Sequence, residues 1–544
     1  MPDSPRLSRR SVLQLGGVGA LLLATGACAA GSKDNPSASA SGGAKADTLK
    51  IAVSSYISSW DQDFVGFDLT ALMLYKNVFP YLVDYGVKDV GGSRILDTEN
   101  VTPTFAESFE PDAEQKVWTL KLRKGVTFAS GNEMKAADVK WSKDRAFAAQ
   151  ANVAGIYRTI GLTEADQVKV VDDYTVEFHQ AFPSALTRQI QAISLYVFDS
   201  VEAKKHATAA DPWAKDWFAK NAPTGGYFNV TKATQGQEIE LTANEGYPGP
   251  DPAKTKTIRI SVVPAAANQR LQLQAGDIDI ALGASARDIK DLKSADGITV
   301  LSAASNEQVA IQMSTTTAPF DDANVRKALA YATPYDQIIS NVYGGDARPT
   351  KSVVPLDMPG YAETGYPYTY DVDKAKAALA AAGKTSVTSE LVFETDNEEQ
   401  QQLAVLVQSE ARKAGIELTL TPLDPATLAD RRGKKNIPLQ ITSGQLWVND
   451  VEYMLATSFV KGANLNYANY SNPRIEQIYE QSHTTVDTAA RGQLWAEVQQ
   501  IMAEDVPWVV ICQPNFNLPV RKEVAGWVQP MDGLARLRYL SASA

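Results

Sequence analysis

The sequence predicts an α/β fold built from more than one domain. The chain has 544 residues, and segments with strand-like and helical patterns alternate in two blocks, over 224–300 and 305–510. A chain of this length exceeds the size at which a single hydrophobic core stops growing. Strands that alternate with helices are typical of an open, largely parallel sheet. We therefore expect two or more lobes.

The residues before the first block are predicted to contain strands and a helix. The pattern predicts a strand at 47–55, a helix within 68–83, a strand within 117–131 and a hairpin over 168–180. Within 117–131 the apolar side chains Trp118, Leu120 and Leu122 alternate with polar ones. This period of two indicates a strand with one buried face.

The two blocks contain longer elements. Helical spacing occurs over 265–277, 325–343, 372–383 and 397–415, and strand-like patterns over 258–264, 278–283, 391–396, 416–424 and 506–520. Glycines at 276, 383 and 415 mark three predicted helix ends, because glycine readily adopts the conformation that closes a helix.

The first 28 residues predict an export signal rather than folded structure. Arg9 and Arg10 precede an apolar stretch, which leads through small residues to Cys28. This layout is typical of a secretory signal, and the paired arginines resemble a twin-arginine signal. TGAC (25–28) resembles a bacterial lipobox, so we expect cleavage after residue 27 and lipidation of Cys28; a plain secretory signal is the alternative. Residues 28–46 are then a lipidated, flexible tether rich in Ser, Ala and Gly.

Composition argues against several classes of protein. The formal net charge of −11 argues against nucleic acid as a partner, because phosphate binding needs clustered Lys and Arg. Two cysteines and three widely separated histidines give no metal-site spacing, so we expect no metal and no cofactor. The motifs G-x-S-x-G, H-E-x-x-H and a Walker loop are missing, and we do not expect an enzyme.

The body of the chain resembles family 5 solute-binding proteins of ABC importers, the oligopeptide- and dipeptide-binding type. The strongest segment is AESFEPDAEQKVWTLKLRKGVTFASGNEMKAADVKWSKDRA (106–146). Further similar segments follow in the family's order at 168–186, 223–247, 273–283, 318–339, 370–383 and 469–478. Their collinearity carries the resemblance, because no single one of these segments is specific.

This resemblance implies a two-lobed clamp with a hinge and an extra third domain. The expected boundaries are lobe I at 47–85, 200–300 and 511–544, domain II at 86–199 and lobe III at 301–510. The implied protein is a monomer that is anchored outside the cell membrane. It captures a peptide or other small solute in the cleft and delivers it to an ABC permease.

The resemblance also implies a ligand anchor within SGQLWVNDVEY (443–453). Peptide-binding relatives hold the α-ammonium of the ligand with an aspartate that follows a tryptophan by three residues, and Trp447 and Asp450 match this spacing. Asp450 also precedes a possible helix, VEYMLATSF, and aspartate is a favoured helix N-cap. Both roles remain open at this point.

Further ligand contacts are implied around the anchor and on the opposite lobe. The expected set is Ser443, Gly444, Gln445, Asn449 and Tyr453 beside the anchor, with Ser59, Trp60 and Asn515 from the other side of the cleft. Gly444 stands where some relatives have a basic residue for the ligand's C-terminus. An oligosaccharide or other small solute is the alternative ligand, and a signalling lipoprotein on the same fold is a further alternative.

Overall fold

The computed structural model describes residues 48–65, 68–222, 224–363, 365–485 and 487–542. The predicted export signal, Cys28 and the tether to residue 46 lie outside these ranges. All of these described residues fall within one compact unit. Within the described ranges, no helix is long and apolar enough to cross a membrane.

The strands are numbered in chain order. They are β1 (Thr48–Val53), β2 (Val83–Val90), β3 (Ser93–Pro103), β4 (Ala106–Pro111), β5 (Val117–Leu122), β6 (Val168–Asp172), β7 (Thr175–His179), β8 (Phe228–Thr234), β9 (Glu238–Ala243), β10 (Thr257–Val262), β11 (Ile280–Ala281), β12 (Ile298–Ala303), β13 (Gln308–Met313), β14 (Ala347–Pro349), β15 (Val387–Glu394), β16 (Ile416–Leu423), β17 (Leu439–Gly444), β18 (Trp508–Pro514), β19 (Phe516–Arg521), β20 (Val524–Ala525) and β21 (Ser541–Ala542).

The helices are numbered in the same way. They are α1 (Leu69–Val78), α2 (Ala136–Ala148), α3 (Asn152–Arg158), α4 (Thr187–Ser194), α5 (Ser200–His206), α6 (Lys215–Phe218), α7 (Ala266–Ala275), α8 (Ala286–Leu292), α9 (Ala323–Ala332), α10 (Tyr335–Gln337), α11 (Val372–Ala381), α12 (Glu398–Lys413), α13 (Pro425–Gly433), α14 (Val451–Met454), α15 (Pro473–Ser482) and α16 (Thr488–Asp505).

A seven-stranded sheet combines the first strand of the described chain with the late strand β19. Its strand order is β12-β19-β11-β1-β10-β9-β8. β1 lies in the middle and pairs in parallel with β10 and β11. Ile51 and Ala52 of β1, which point to opposite faces of the sheet, are both buried, as expected for a central strand covered on both faces. This sheet contributes to the larger of the two main hydrophobic cores, which we call the first core.

A six-stranded sheet lies at the centre of the other half. Its order is β14-β18-β13-β17-β15-β16, with β15 and β16 parallel and joined by α12. The predicted helix at 397–415 is therefore confirmed as α12, followed by Gly415 with a φ of +89°. The predicted helix at 325–343 is interrupted at Thr333–Pro334, where α9 ends and α10 begins. Proline lacks an N–H and cannot continue the backbone ladder. We call the hydrophobic core around this sheet the second core.

Two strand connections join the sheets. β12 leads into β13 through residues 304–307, and β18 leads into β19 through Asn515. β12 pairs with β19 in one sheet and β13 with β18 in the other, so the two connections run side by side. A pair of adjacent strand connections is a typical hinge. The predicted strand region at 506–520 is therefore two strands in different sheets.

The third region is built from smaller sheets. β4-β5-β7-β6 form a four-stranded sheet, and β2 pairs with β3. The predicted hairpin at 168–180 is confirmed as β6 and β7. Trp118, Leu120 and Leu122 of β5 are all buried, as their alternation predicted.

Two strand ends lie a few residues beyond expected domain boundaries, which stay predictions. β12 continues to Ala303 in the seven-stranded sheet, and β18 continues to Pro514 in the six-stranded sheet. The transitions between the sheets therefore fall after 303 and 514 rather than after 300 and 510. The sequence could not locate them, because each pair of strands is continuous in pattern and changes sheet without a turn. The three-domain division itself stays a prediction.

Candidate functional site

The segment from 445 to 454 is wedged between the two cores. Val448 and Tyr453 pack into the first core, whereas Val451 and Met454 pack into the second. Leu446 contacts both cores. The short helix α14 therefore packs against both cores and holds the loop after β17 where the two cores meet.

Polar contacts also hold this segment to the half of the molecule that contains the first core. The Tyr85 hydroxyl donates to the Trp447 carbonyl oxygen at 3.3 Å. Gln445 Nε2 donates to the carbonyl oxygens of Pro530 and Met531, at 3.3 and 2.8 Å. The Gln445 side chain, which the family resemblance implies as a ligand contact, therefore binds backbone carbonyls of the C-terminal segment.

Asp450 caps α14, as the local sequence pattern predicts. Its carboxylate accepts a hydrogen bond from the Glu452 N–H at 2.8 Å, and its backbone is extended at the N-cap position. The guanidinium of Arg491, on α16, donates through Nη2 to Asp450 Oδ1 at 3.0 Å and Oδ2 at 3.2 Å. The side chain thus has an internal cation as well as a capping role.

The Asp450 carboxylate is partly buried beside Arg491. Its side chain is 23% exposed, yet desolvation raises the pKa of this carboxyl, even though Arg491 and the Glu452 amide oppose the shift. The neighbouring Asn449 Oδ1 is buried without a hydrogen-bond partner in the described part of the chain.

Glu452 shares Arg491 with Asp450. Arg491 Nη1 donates to Glu452 Oε2 at 2.8 Å, and the Glu452 side chain is 1% exposed. Burial, only partly offset by Arg491, raises the pKa of Glu452 to about 7. Glu452 Oε1 has no hydrogen-bond partner among the described residues and lies 3.8 Å from His483 Nε2, which also has none.

Comparison with known proteins identifies the family. The sequence matches the bacterial extracellular solute-binding proteins, family 5 (middle region), over residues 100–466. This match covers well over half of the chain.

The chain belongs to family 5 of the bacterial extracellular solute-binding proteins.

The relatives of this solute-binding protein include proteins named for peptides. The dipeptide-binding protein of Escherichia coli K12 is 28% identical over 472 residues, which cover 82% of this chain and 87% of the relative. The family is one of solute-binding proteins rather than of enzymes; the absence of catalysis in this chain stays a prediction.

Solved structures show the same fold. A periplasmic binding protein of Helicobacter pylori, in complex with the peptide STSA, superposes with a TM-score of 0.81 at 22% identity, covering 91% of this chain and 98% of that one. A binding protein in complex with agropinic acid, from A. tumefaciens R10, has a TM-score of 0.79 at 22% identity, with coverages of 91% and 99%. At these identities the likeness shows the fold alone: a two-lobed binding protein with mixed α/β sheets, as the sequence predicted.

Ser59 and Trp60 of the solute-binding protein lie at the edge of the first core. Trp60 is 5% exposed and packs in that core, and its N–H donates to the Ala219 carbonyl oxygen. Ser59 accepts hydrogen bonds from the Tyr75 hydroxyl and the Asp61 N–H. Among the described residues, no hydrogen bond or ion pair joins either one to Asp450. Tyr453 is likewise buried, at 4% exposure, which favours a packing role.

Asn515 has a structural role at the hinge of the solute-binding protein. Its Nδ2 donates to Asp346 Oδ1 at 2.8 Å, and its N–H donates to the Asp346 carbonyl oxygen. Asn517 and Lys293 donate to Asp346 Oδ2, both at 2.9 Å. Burial works against ionisation of Asp346, but these three donors outweigh it and lower the pKa of the carboxyl.

Ser443 and Gly444 lie at the exposed end of β17. They pair with Val309 and Gln308 on the β13 side. On the other side, the pairing with β15 within the described ranges is limited to Val392 and Gln440. Among the described strands, the last residues of β17 therefore pair along one edge only, and Ser443 and Gly444 are exposed.

Sequence reasoning missed Arg491, Glu452 and His483. Arg491 lies 41 residues after Asp450, on a helix that carries no local motif. Glu452 is one acidic residue among many, and only its burial marks it out.

Proposed function

We propose that this protein is an extracytoplasmic, peptide-binding lipoprotein of an ABC importer. It captures di- or oligopeptides in the cleft between its lobes and delivers them to a membrane permease. The family membership, the dipeptide-binding relative and the fold shared with a peptide-bound protein support the proposal.

The Asp450 carboxylate carries the proposal. Asp450 and Glu452 share one guanidinium, so the trio keeps one unit of negative charge when both carboxyls are ionised. The Asp450 carboxylate is the partly exposed member of this trio. A ligand ammonium placed there balances the charge and makes charge-assisted hydrogen bonds, which are among the stronger kinds.

The open edge of β17 supports binding of the peptide main chain. Backbone groups of Ser443 and Gly444 face the side that β15 leaves unpaired. An extended peptide adds a strand to such an edge, which gives affinity without reading side chains. Asn449 Oδ1, buried and unpartnered among the described residues, is an acceptor for a further ligand N–H.

Calorimetry with matched peptides tests the ammonium anchor. Tetra-alanine with a free N-terminus is expected to bind, and N-acetyl-tetra-alanine to bind at least tenfold more weakly, because acetylation removes the charge that Asp450 attracts. C-terminally amidated tetra-alanine is the control, since it keeps the ammonium. Equal affinity for the free and acetylated peptides would contradict the anchor.

Mass spectrometry of co-purified material tests the ligand class. Peptides in the eluate support the proposal. Since a protein of the same fold is known in complex with agropinic acid, an oligosaccharide or other small solute in the eluate would favour the alternative.

The lipid anchor and the permease partner are tested in cells. Cys28→Ser is expected to move the protein from the membrane fraction to the soluble extracytoplasmic fraction, because lipidation requires the thiol. Ala29→Ser, at the next position in the same signal region, is the control. Retention of the Cys28→Ser variant on the membrane would rule out this cysteine as the anchor. Delivery is tested by uptake of labelled peptide, which depends on the permease.

A further inference from the structure

Glu452 and His483 each leave one buried polar atom without a partner. Glu452 Oε1 and His483 Nε2 lie 3.8 Å apart, and neither has a hydrogen-bond partner in the described part of the chain. Leaving two such atoms unpaired is costly. The neutral ring carries one N–H of its own. When that proton is on Nδ1, which lies 3.9 Å from Glu480 Oε2, one further proton, on the carboxyl oxygen or on Nε2, satisfies both unpaired atoms after a small approach. The geometry is that of a pair that binds a proton.

Aromatic rings cover one side of this pair, and charged groups lie on the other. Phe182, from the region of the smaller sheets, stacks on the His483 ring with centroids 4.9 Å apart and planes 15° apart. The Tyr479 ring meets His483 edge-on at 4.5 Å. The Glu452 side chain is 1% exposed and the His483 side chain 12% exposed. Because His483 is the more exposed of the two, a proton leaves the pair for solvent through this residue.

Among the described residues, two charged groups face Glu452. Arg491 from α16 attracts its anion, and Asp450, two residues earlier, repels it. The Ser482 hydroxyl at the end of α15 donates to the Tyr479 carbonyl oxygen at 2.7 Å. Glu480 of α15 lies 3.9 Å from His483 Nδ1, on the far side of the ring, and is 76% exposed. Burial lowers the pKa of His483, with Glu480 opposing and Arg491 assisting, so the ring is favoured as the neutral acceptor.

We propose that a ligand ammonium at Asp450 expels the proton held between Glu452 and His483, so that peptide capture is coupled to proton release. With the proton in place, Asp450 and Arg491 balance each other and the site attracts a cation only weakly. Without it, the trio of Asp450, Glu452 and Arg491 keeps one negative charge. The incoming ammonium and the proton therefore compete for the same charge, and the displaced proton leaves to the buffer.

The coupling has a definite sign. Burial holds the pKa of Glu452 near 7, and an ammonium next to Asp450 lowers it by roughly 1–2 units, the usual effect of a nearby opposite charge. Peptide binding thus weakens as the pH falls, by about fourfold between pH 7 and pH 6. This inference rests on the proposed function, because it takes Asp450 as the ammonium anchor.

Calorimetry in buffers of different ionisation enthalpy measures the proton directly. At pH 6.5 the α-amine of tetra-alanine is fully charged, so a change in protonation on binding belongs to the protein. The dependence of the measured enthalpy on buffer enthalpy should give release of about 0.6 proton per peptide. Glu452→Gln, which keeps the shape of the protonated acid, should abolish the release, weaken binding at pH 7 and remove its pH dependence. Glu480→Gln, the same substitution on the exposed side of the ring, should still release a proton on binding, with only a small shift of the pH profile from the lost attraction on His483.

The outcomes separate the two proposals. Proton release in the wild type and in Glu480→Gln, with none in Glu452→Gln, supports the coupling. Peptide binding without proton release in the wild type overturns the coupling and leaves peptide binding intact, whether or not the variant folds. Release that persists in Glu452→Gln also overturns it. Absence of binding to tetra-alanine, dialanine and Ser-Thr-Ser-Ala overturns both proposals.

Discussion

Replacing Asp450 by asparagine separates the two roles of this carboxylate. Asparagine is as good an N-cap as aspartate, so Asp450→Asn keeps the hydrogen bond to the Glu452 N–H but removes the charge. If the residue only caps α14, peptide affinity should barely change. If it anchors an ammonium, the affinity should fall steeply.

The expected size follows from the site's charges. Two unit charges about 3.5 Å apart attract by about 5 kcal/mol at an effective dielectric constant of 20. The Asp450 carboxylate is 23% exposed and already shares its charge with Arg491 at 3.0 Å. We therefore expect a loss of about 2–4 kcal/mol, which corresponds to a weakening of roughly 30- to 900-fold.

Isothermal titration calorimetry with tetra-alanine measures this loss, and circular dichroism verifies that the variant is folded. Asp487→Asn is the matched control, because Asp487 caps α16 through the Ala490 N–H on the exposed surface. Wild-type affinity in Asp450→Asn would refute the anchor and leave the cap as the residue's role. An equal loss in Asp487→Asn would show that the effect is not local to the cleft.

Three further substitutions test the packing around the site and in the core. Arg491→Met leaves Asp450 and Glu452 without their shared cation and should lower the free energy of unfolding by about 3–5 kcal/mol at pH 8. The loss should be smaller at pH 5, because the carboxyls take up protons there. A loss below about 1 kcal/mol in urea denaturation at pH 8 would contradict the buried triad. Lys143, 2% exposed, has its pKa lowered by burial to about 7, so the unfolded state binds more protons and stability should rise with pH between 7 and 10 by up to about 1.4 kcal/mol per unit. Lys143→Met should flatten this slope in guanidinium chloride denaturation, and an unchanged slope would show that Lys143 is charged in the native state. Gln445→Ala removes the hydrogen bonds to the Pro530 and Met531 carbonyls and should weaken peptide binding about 3- to 10-fold if the contact forms on lobe closure; unchanged affinity would indicate that it is present in every state.

Local patterns predicted most elements because each depends on neighbouring residues. The alternation of Trp118, Leu120 and Leu122, the helix before Gly415 and the hairpin around Asp172 all appear in the structure. Proline at 334 divides a segment whose apolar spacing predicted one helix. The capping role of Asp450 was also accessible, because a cap is a contact between residues two or three apart.

The sequence by itself determined the α/β class, the collinear family pattern and the position of an aspartate where a strand ends and a helix begins. The tertiary structure alone decided what surrounds that aspartate. It brought Arg491 to Asp450 from 41 residues away, placed His483 against the second carboxyl and split residues 506–520 between two sheets. Such choices depend on which distant surfaces bury each other, and burial, which raises the pKa of Glu452 to about 7, leaves no signature in the local sequence.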